Sequence, residues 1–193
     1  MAQTVAVWSL FIRFFHWGLV ALFVLAYYTS SSGDDDIHMI AGYGVSLLLV
    51  LRLMYGFTSK GYAKFSSFVY TPMKVLTHLK QIAQNRSDHY TGHSPAGSAM
   101  VFTLLLLLLV LTVSGLVLQG YFEYEGPLWN LGWMPSSVVA HGAEWVHKRL
   151  PDILIGFIIL HVLGVLLASV QHKENLVRAM ITGRKISYKE REE

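Results

Sequence analysis

The sequence predicts an all-α membrane protein, a bundle of four transmembrane helices. Three observations carry that prediction. Of 193 residues, 53% are hydrophobic and 14% charged, where a soluble domain carries about 25% charged residues. Four stretches are long and apolar enough to cross a hydrocarbon core about 30 Å thick, which takes roughly 20 residues of helix. The cations, finally, are segregated among the connections. The chain reads as one domain, 1–193, with spans at about 8–28, 39–57, 98–120 and 140–171.

The first span, Trp8 to Tyr28, is interrupted only by Arg13 and His16. It exceeds the apolar stretch of a signal peptide, no charged segment precedes it and no small-residue cleavage site follows, so it is expected to remain as a span. The second, Met39 to Phe57, is interrupted only by Arg52. Asp36 is expected to cap it, accepting from the orphan amides of its first turn. Residues 72–83 put Met73, Leu76, Leu79 and Ile82 near one face, which suits a short helix lying on the membrane interface. Ser94 followed by Pro95 is an N-cap with proline at the first helical position. It leads into the third span, Met100 to Leu118, which has no ionisable residue. The fourth, Ile153 to Val170, is interrupted only by His161. Trp129, Trp133 and Trp145 in the connection before it read as interfacial anchors.

Lys and Arg set the orientation. Connection 58–98 carries Lys60, Lys64, Lys74, Lys80 and Arg86, and the tail 171–193 carries six more. Connection 29–38 has none, and 119–152 has only Lys148 and Arg149. Both termini are therefore expected on the cytoplasmic side. The chain has no cysteine. That excludes disulfide scaffolds, thiolate metal sites, iron–sulfur clusters, covalent haem attachment and cysteine nucleophiles.

An ionisable residue inside a span is costly and so points to function. His16 lies nine residues past Val7, and His161 nine residues before Val170, which gives them matching depth. His38 opens the second span on the outer side, and His147 precedes the fourth span on that side. His147 and His161 are 14 residues apart. At 100° per residue that is about 40° short of four full turns, so both rings leave one face, separated by roughly 21 Å along the axis. Four histidines in two pairs within a four-helix membrane bundle describe two bis-histidine haem b sites stacked across the bilayer. Zinc fits less well, because two histidines at each level leave a tetrahedral site half built. Gly18, Gly42, Gly44, Gly115, Gly156 and Gly164 supply small residues where a large ring must fit, or where helices pack. His141, His172, His78, His89 and His93 fail the tests of face or depth.

Several stretches closely resemble the prokaryotic cytochrome b561 family, di-haem membrane cytochromes related to hydrogenase cytochrome b subunits. They are VWSLFIRFFHWGLV at 7–20, HMIAGYGVSLLLVLRLMYGF at 38–57, GHSPAGSAM at 92–100, the segment from His147 to HVLGV at 161–165, and HKENLVRAMITGRK at 172–185. The resemblance implies two haem b groups, one held by His16 and His161, the other by His38 and His147. It implies electron transfer in the bacterial inner membrane, between the quinone pool and a partner redox protein, with a bound quinone and room for a homodimer. One departure is local: Lys148, Arg149, Pro151 and Asp152 follow His147 where family members commonly have an acidic residue next.

Haem propionates want cations, and Arg13, three residues from His16, and Arg52, 14 residues after His38, are the candidates, with His93 assisting at the inner face. Their alternative use is snorkelling to lipid phosphate. The outer connections carry seven acids, Asp34, Asp35, Asp36, Glu123, Glu125, Glu144 and Asp152, against two cations. That suits a periplasmic partner with a basic face, such as a c-type cytochrome. Nothing in the chain suggests nucleic acid. The chain reads as an electron-transfer oxidoreductase component able to react with quinone. Two rivals stand beside it. A cytochrome b subunit of a hydrogenase or dehydrogenase would co-purify with a catalytic subunit. A metal or proton transporter using intramembrane histidines would be colourless, and would carry repeated halves or broken helices that this sequence lacks. Direct superoxide oxidation is known in the resembling family, and no residue here singles it out.

Overall fold

A computed structural model describes residues 3–187. Lys189 and Arg191, two of the cations counted for orientation, lie outside the described residues. In order the elements are β1 (Gln3–Ala6), α1 (Leu10–Ser32), α2 (Asp35–Thr58), α3 (Pro72–Ala83), α4 (Pro95–Leu118), α5 (Gly126–Asn130), α6 (Ser137–Gln171), α7 (Leu176–Thr182) and β2 (Arg184–Ser187). Short 3₁₀ turns fill Gly61–Ala63 and Phe65–Ser67, and a π turn, Gln119–Glu123, continues α4. Among the described residues four helices are long and apolar enough to cross a membrane: α1, α2, α4 with its π turn, and α6. The protein is an all-α, multi-pass membrane protein.

Helix ends follow local chemistry. α1 runs past its apolar stretch because Thr29, Ser30, Ser31 and Ser32 each donate a hydroxyl to a carbonyl three or four residues back. α2 begins at Asp35, so Asp36 lies inside the first turn and does not cap it. Both acids still face the positive end of the helix dipole. Ser94 Oγ accepts from the Gly97 amide at 3.3 Å and starts α4 at Pro95. α6 continues through Pro151, which has no amide to offer the His147 carbonyl.

The chain divides into two compact units. One draws on the described residues of Met1–Trp17, Leu51–Phe102 and Ile159–Glu193. Its buried centre includes Phe65, Phe68 and Ala63, with the Phe68 and Phe102 rings stacked 5.3 Å apart. β1 and β2 pair antiparallel with Val5 opposite Lys185. Gly183 (φ +80°) closes α7 in a left-handed conformation that favours glycine, and its carbonyl accepts from the Val7 amide at 2.8 Å. Glu174 and Lys185, both buried, pair at 3.4 Å, and the Lys185 ammonium donates to the Tyr90 carbonyl at 2.8 Å.

The other unit comprises Gly18–Val50 and Thr103–Ile158. Ala41, Val45, Leu48, Leu49, Leu108 and Leu154 are buried in it. A Cβ on Gly44 would meet Leu22, and one on Gly18 would meet Leu48, so these two glycines serve helix packing. Gly42 and Gly156 face open space, as does Gly164 of the first unit.

Candidate functional site

Each unit holds one of the two histidine pairs expected within the spans. In the first, the His16 ring on α1 and the His161 ring on α6 have centroids 6.5 Å apart. In the second, the His38 ring on α2 and the His147 ring on α6 have centroids 6.0 Å apart and are perpendicular. The structure therefore brings together the two pairs expected from depth and helical phase.

The His38–His147 pair is held from behind. His38 Nδ1 lies 2.8 Å from the Ala26 carbonyl, and His147 Nδ1 lies 3.1 Å from the Leu111 carbonyl. A carbonyl only accepts, so each Nδ1 carries the proton and donates, which leaves each Nε2 with a free lone pair. Ser114 donates to the Leu111 carbonyl at 2.8 Å and sets its Oγ 3.1 Å from His147 Nδ1. Buried Thr29 shares the Ala26 carbonyl at 3.2 Å. Outer partners of this kind fix tautomer and ring direction in a metal-binding histidine. A Cβ on Gly115 would lie 2.9 Å from His147 Cε1, so only glycine leaves room for the ring where it stands. Sequence reasoning picked out Gly115 but missed Ser114, the Thr29 hydroxyl and the two carbonyls. The dipeptide Ser114–Gly115 inside a run of leucine and valine was the one signal for them.

The first unit also holds Arg52, Arg13 and His93. Arg52 is 3% exposed, its guanidinium 4.5 Å from the centre of the Phe65 ring, and its Nη1 is buried without a hydrogen-bond partner. Arg13 is engaged differently. It donates from Nη1 to the Ile181 carbonyl at 2.7 Å, tying α1 to the end of α7, while its Nε is buried and unpaired. His93 packs against Trp8 at 4.7 Å and Phe68 at 4.2 Å, and its Nδ1 is buried and unpaired. Burial first, then the Arg52 and Lys185 cations, lower its pKa to about 4. A cavity of about 250 Å³ opens against it, lined by Tyr62, Phe68, Tyr70, Tyr90 and Thr91.

Two-donor sites narrow the chemistry. Among the described residues no group of three or more His, Cys, Asp or Glu is placed to hold a metal ion. Two imidazoles binding one metal from opposite sides, with metal–nitrogen bonds of about 2.0–2.1 Å, have centroids about 6.3 Å apart. The observed 6.5 Å and 6.0 Å bracket that value. Each pair therefore suits a metal whose other positions a macrocycle fills.

A four-span helical protein with paired intramembrane histidines is of the membrane cytochrome b class. The sequence profile described as prokaryotic cytochrome b561 matches residues 7–183, and the chain belongs to that family. No curated protein matches the chain. Membership implies haem b binding and electron transfer in a membrane. The residues present fit haem b: two imidazoles per site, a glycine cradle at His147, and a buried cation with an unpaired N–H at Arg52.

Proposed function

We propose that the protein carries electrons through two bis-histidine haem b groups, one ligated by His16 and His161, the other by His38 and His147, between the quinone pool and a partner redox protein. The observation that carries this reading is the spacing of the two ring pairs, 6.5 Å and 6.0 Å, in a chain with no third donor at either pair among its described residues.

When bound, haem b supplies a reversible one-electron change at iron, tuned by its surroundings. The protein's part is binding, orientation and electrostatics. His38 and His147 are held in orientation by the Ala26 and Leu111 carbonyls behind their Nδ1 atoms. Ser114 adds a second acceptor behind His147. Arg52, buried with a free N–H, is the cation that would neutralise a propionate near the His16–His161 pair. Arg13 is the lesser candidate, since the Ile181 carbonyl already takes one of its donors. His93, neutral beside a polar cavity, would face the same anionic edge. The apolar helices exclude water, which limits side reactions of the reduced state. Both termini would lie in the cytoplasm of a bacterium, and the acidic outer connections would meet a basic redox partner.

Paired substitutions test the ligand assignment. His16→Ala and His161→Ala should remove the same spectral and redox component, and His38→Ala and His147→Ala the other one. Loss of a single shared component from His16→Ala and His38→Ala would overturn the pairing.

A further inference from the structure

Helix α3 is inside out for a helix on a water-soluble body. Met73, Leu76 and Leu79 are 71%, 60% and 48% exposed, while His78 is 3% exposed. At 100° per residue the three apolar side chains span about 120°, and His78 lies about 160° from the middle of that arc. The helix is thus held by its polar side. The His78 ring packs on Tyr90 at 5.4 Å, and the Gln171 amide donates to the Ile82 carbonyl at 3.0 Å. Thr71 caps the helix, its Oγ1 accepting from the Lys74 amide, and Pro72 starts it. At 12 residues it is of a length that is marginal alone in water. Its outward stripe needs an apolar cover.

The charges nearby say what kind. Residues 58–98 carry Lys60, Lys64, Lys74, Lys80 and Arg86, all exposed, against Asp88 alone. Lys80 falls inside the apolar arc, where its stem can lie on the stripe while its ammonium reaches upward to a headgroup. Lys74 stands off the stripe, its ammonium 4.9 Å from the centre of the Tyr70 ring. A second copy of this face would set five cations against five. An anionic lipid surface complements both the stripe and the charge.

We infer that α3 lies in the headgroup region of the leaflet beside residues 58–98, with Met73, Leu76 and Leu79 in the acyl boundary, and that Lys74 and Lys80 select anionic phospholipid. The chain has no cysteine, so one substitution gives one labelling site. The full-length, haem-loaded protein carrying Leu76→Cys or Leu79→Cys, each with a nitroxide, is placed in vesicles of phosphatidylcholine alone or mixed with phosphatidylglycerol. Accessibility to dissolved oxygen and to a water-soluble nickel chelate is read by electron paramagnetic resonance. Both labels should collide more with oxygen than with nickel, and more strongly so in the anionic mixture. Lys74→Gln and Lys80→Gln should each cut the anionic preference about fivefold, the equivalent of about 1 kcal/mol per lysine near such a surface. Labels open to nickel, or shielded from both reagents by a protein partner, would overturn the inference. A label at Leu106→Cys on α4 reports separately whether the chain spans the membrane. Equal insertion in both lipids, indifferent to the lysine variants, would overturn the anionic selection.

Discussion

Gly115 offers the most local test of the His38–His147 site. An added Cβ would sit 2.9 Å from His147 Cε1 and 3.4 Å from its Nδ1. Carbon atoms in ordinary contact stand about 3.5–4.0 Å apart, so ring or helix must give by roughly 0.7 Å. The ring has little freedom to do so, because Nδ1 is held at 3.1 Å by both the Leu111 carbonyl and Ser114 Oγ. Overpacking of this kind costs about 1–3 kcal/mol, while alanine returns about 1 kcal/mol of helix propensity. Gly115→Ala should therefore weaken retention of one haem by about tenfold, at about 1.4 kcal/mol per factor of ten. Gly115→Leu should abolish it, and the second haem should persist in both variants. Gly42→Ala, where a Cβ meets nothing within 4 Å, is the matched control and should retain both. Haem content by pyridine haemochrome and a potentiometric titration read the outcome. A Gly115→Leu protein with both haems and an unchanged titration would refute the placement of His147 at a ligand position.

Three further outcomes are expected. Arg52→Gln removes a buried cation, disfavouring the state with one more electron, so one redox component should move negative by about 60 mV or more, a tenfold change for one electron; an unmoved potential would leave Arg52 a packing role on Phe65. Electron exchange with a basic c-type cytochrome should slow steeply as salt rises, since steering is screened within about 8–10 Å at physiological ionic strength, and Asp34→Asn with Asp35→Asn should flatten that dependence; rates indifferent to both would remove the acidic face as a docking surface. His93, held near 4 against an ordinary 6.5, binds fewer protons folded than unfolded between those values, so stability is full above about pH 6.5 and falls as pH drops towards 4, by up to about 3 kcal/mol. Burial lowers His78 and His172 in the same direction. Thermal melts at pH 7 and pH 5 check this, and His93→Gln should shrink the difference.

Much of the fold was legible because a membrane penalises ambiguity. Apolar runs announce spans, and a histidine within one must have a reason to be there. The 14-residue interval between His147 and His161 then fixed a shared face from helix geometry alone. What escaped the sequence is what depends on distant chain. β1 and β2 are four residues each, from opposite ends, and neither QTVA nor RKIS carries a local sign of the other. The last turns of α1 read as a loop in SSSG, yet hydroxyls bonded back along the helix sustain it to Ser32. Arg13 could be placed near His16 by spacing, but not its bond to Ile181, 168 residues away. The carbonyls behind His38 and His147 carry no sequence signature, since every residue has one.

Haem stoichiometry tests the central claim most directly. Purified protein should yield two non-covalent haem b per chain, both low-spin and six-coordinate in the oxidised and reduced visible spectra. A ratio near one, a high-spin component, or a colourless pure protein would contradict two bis-histidine sites.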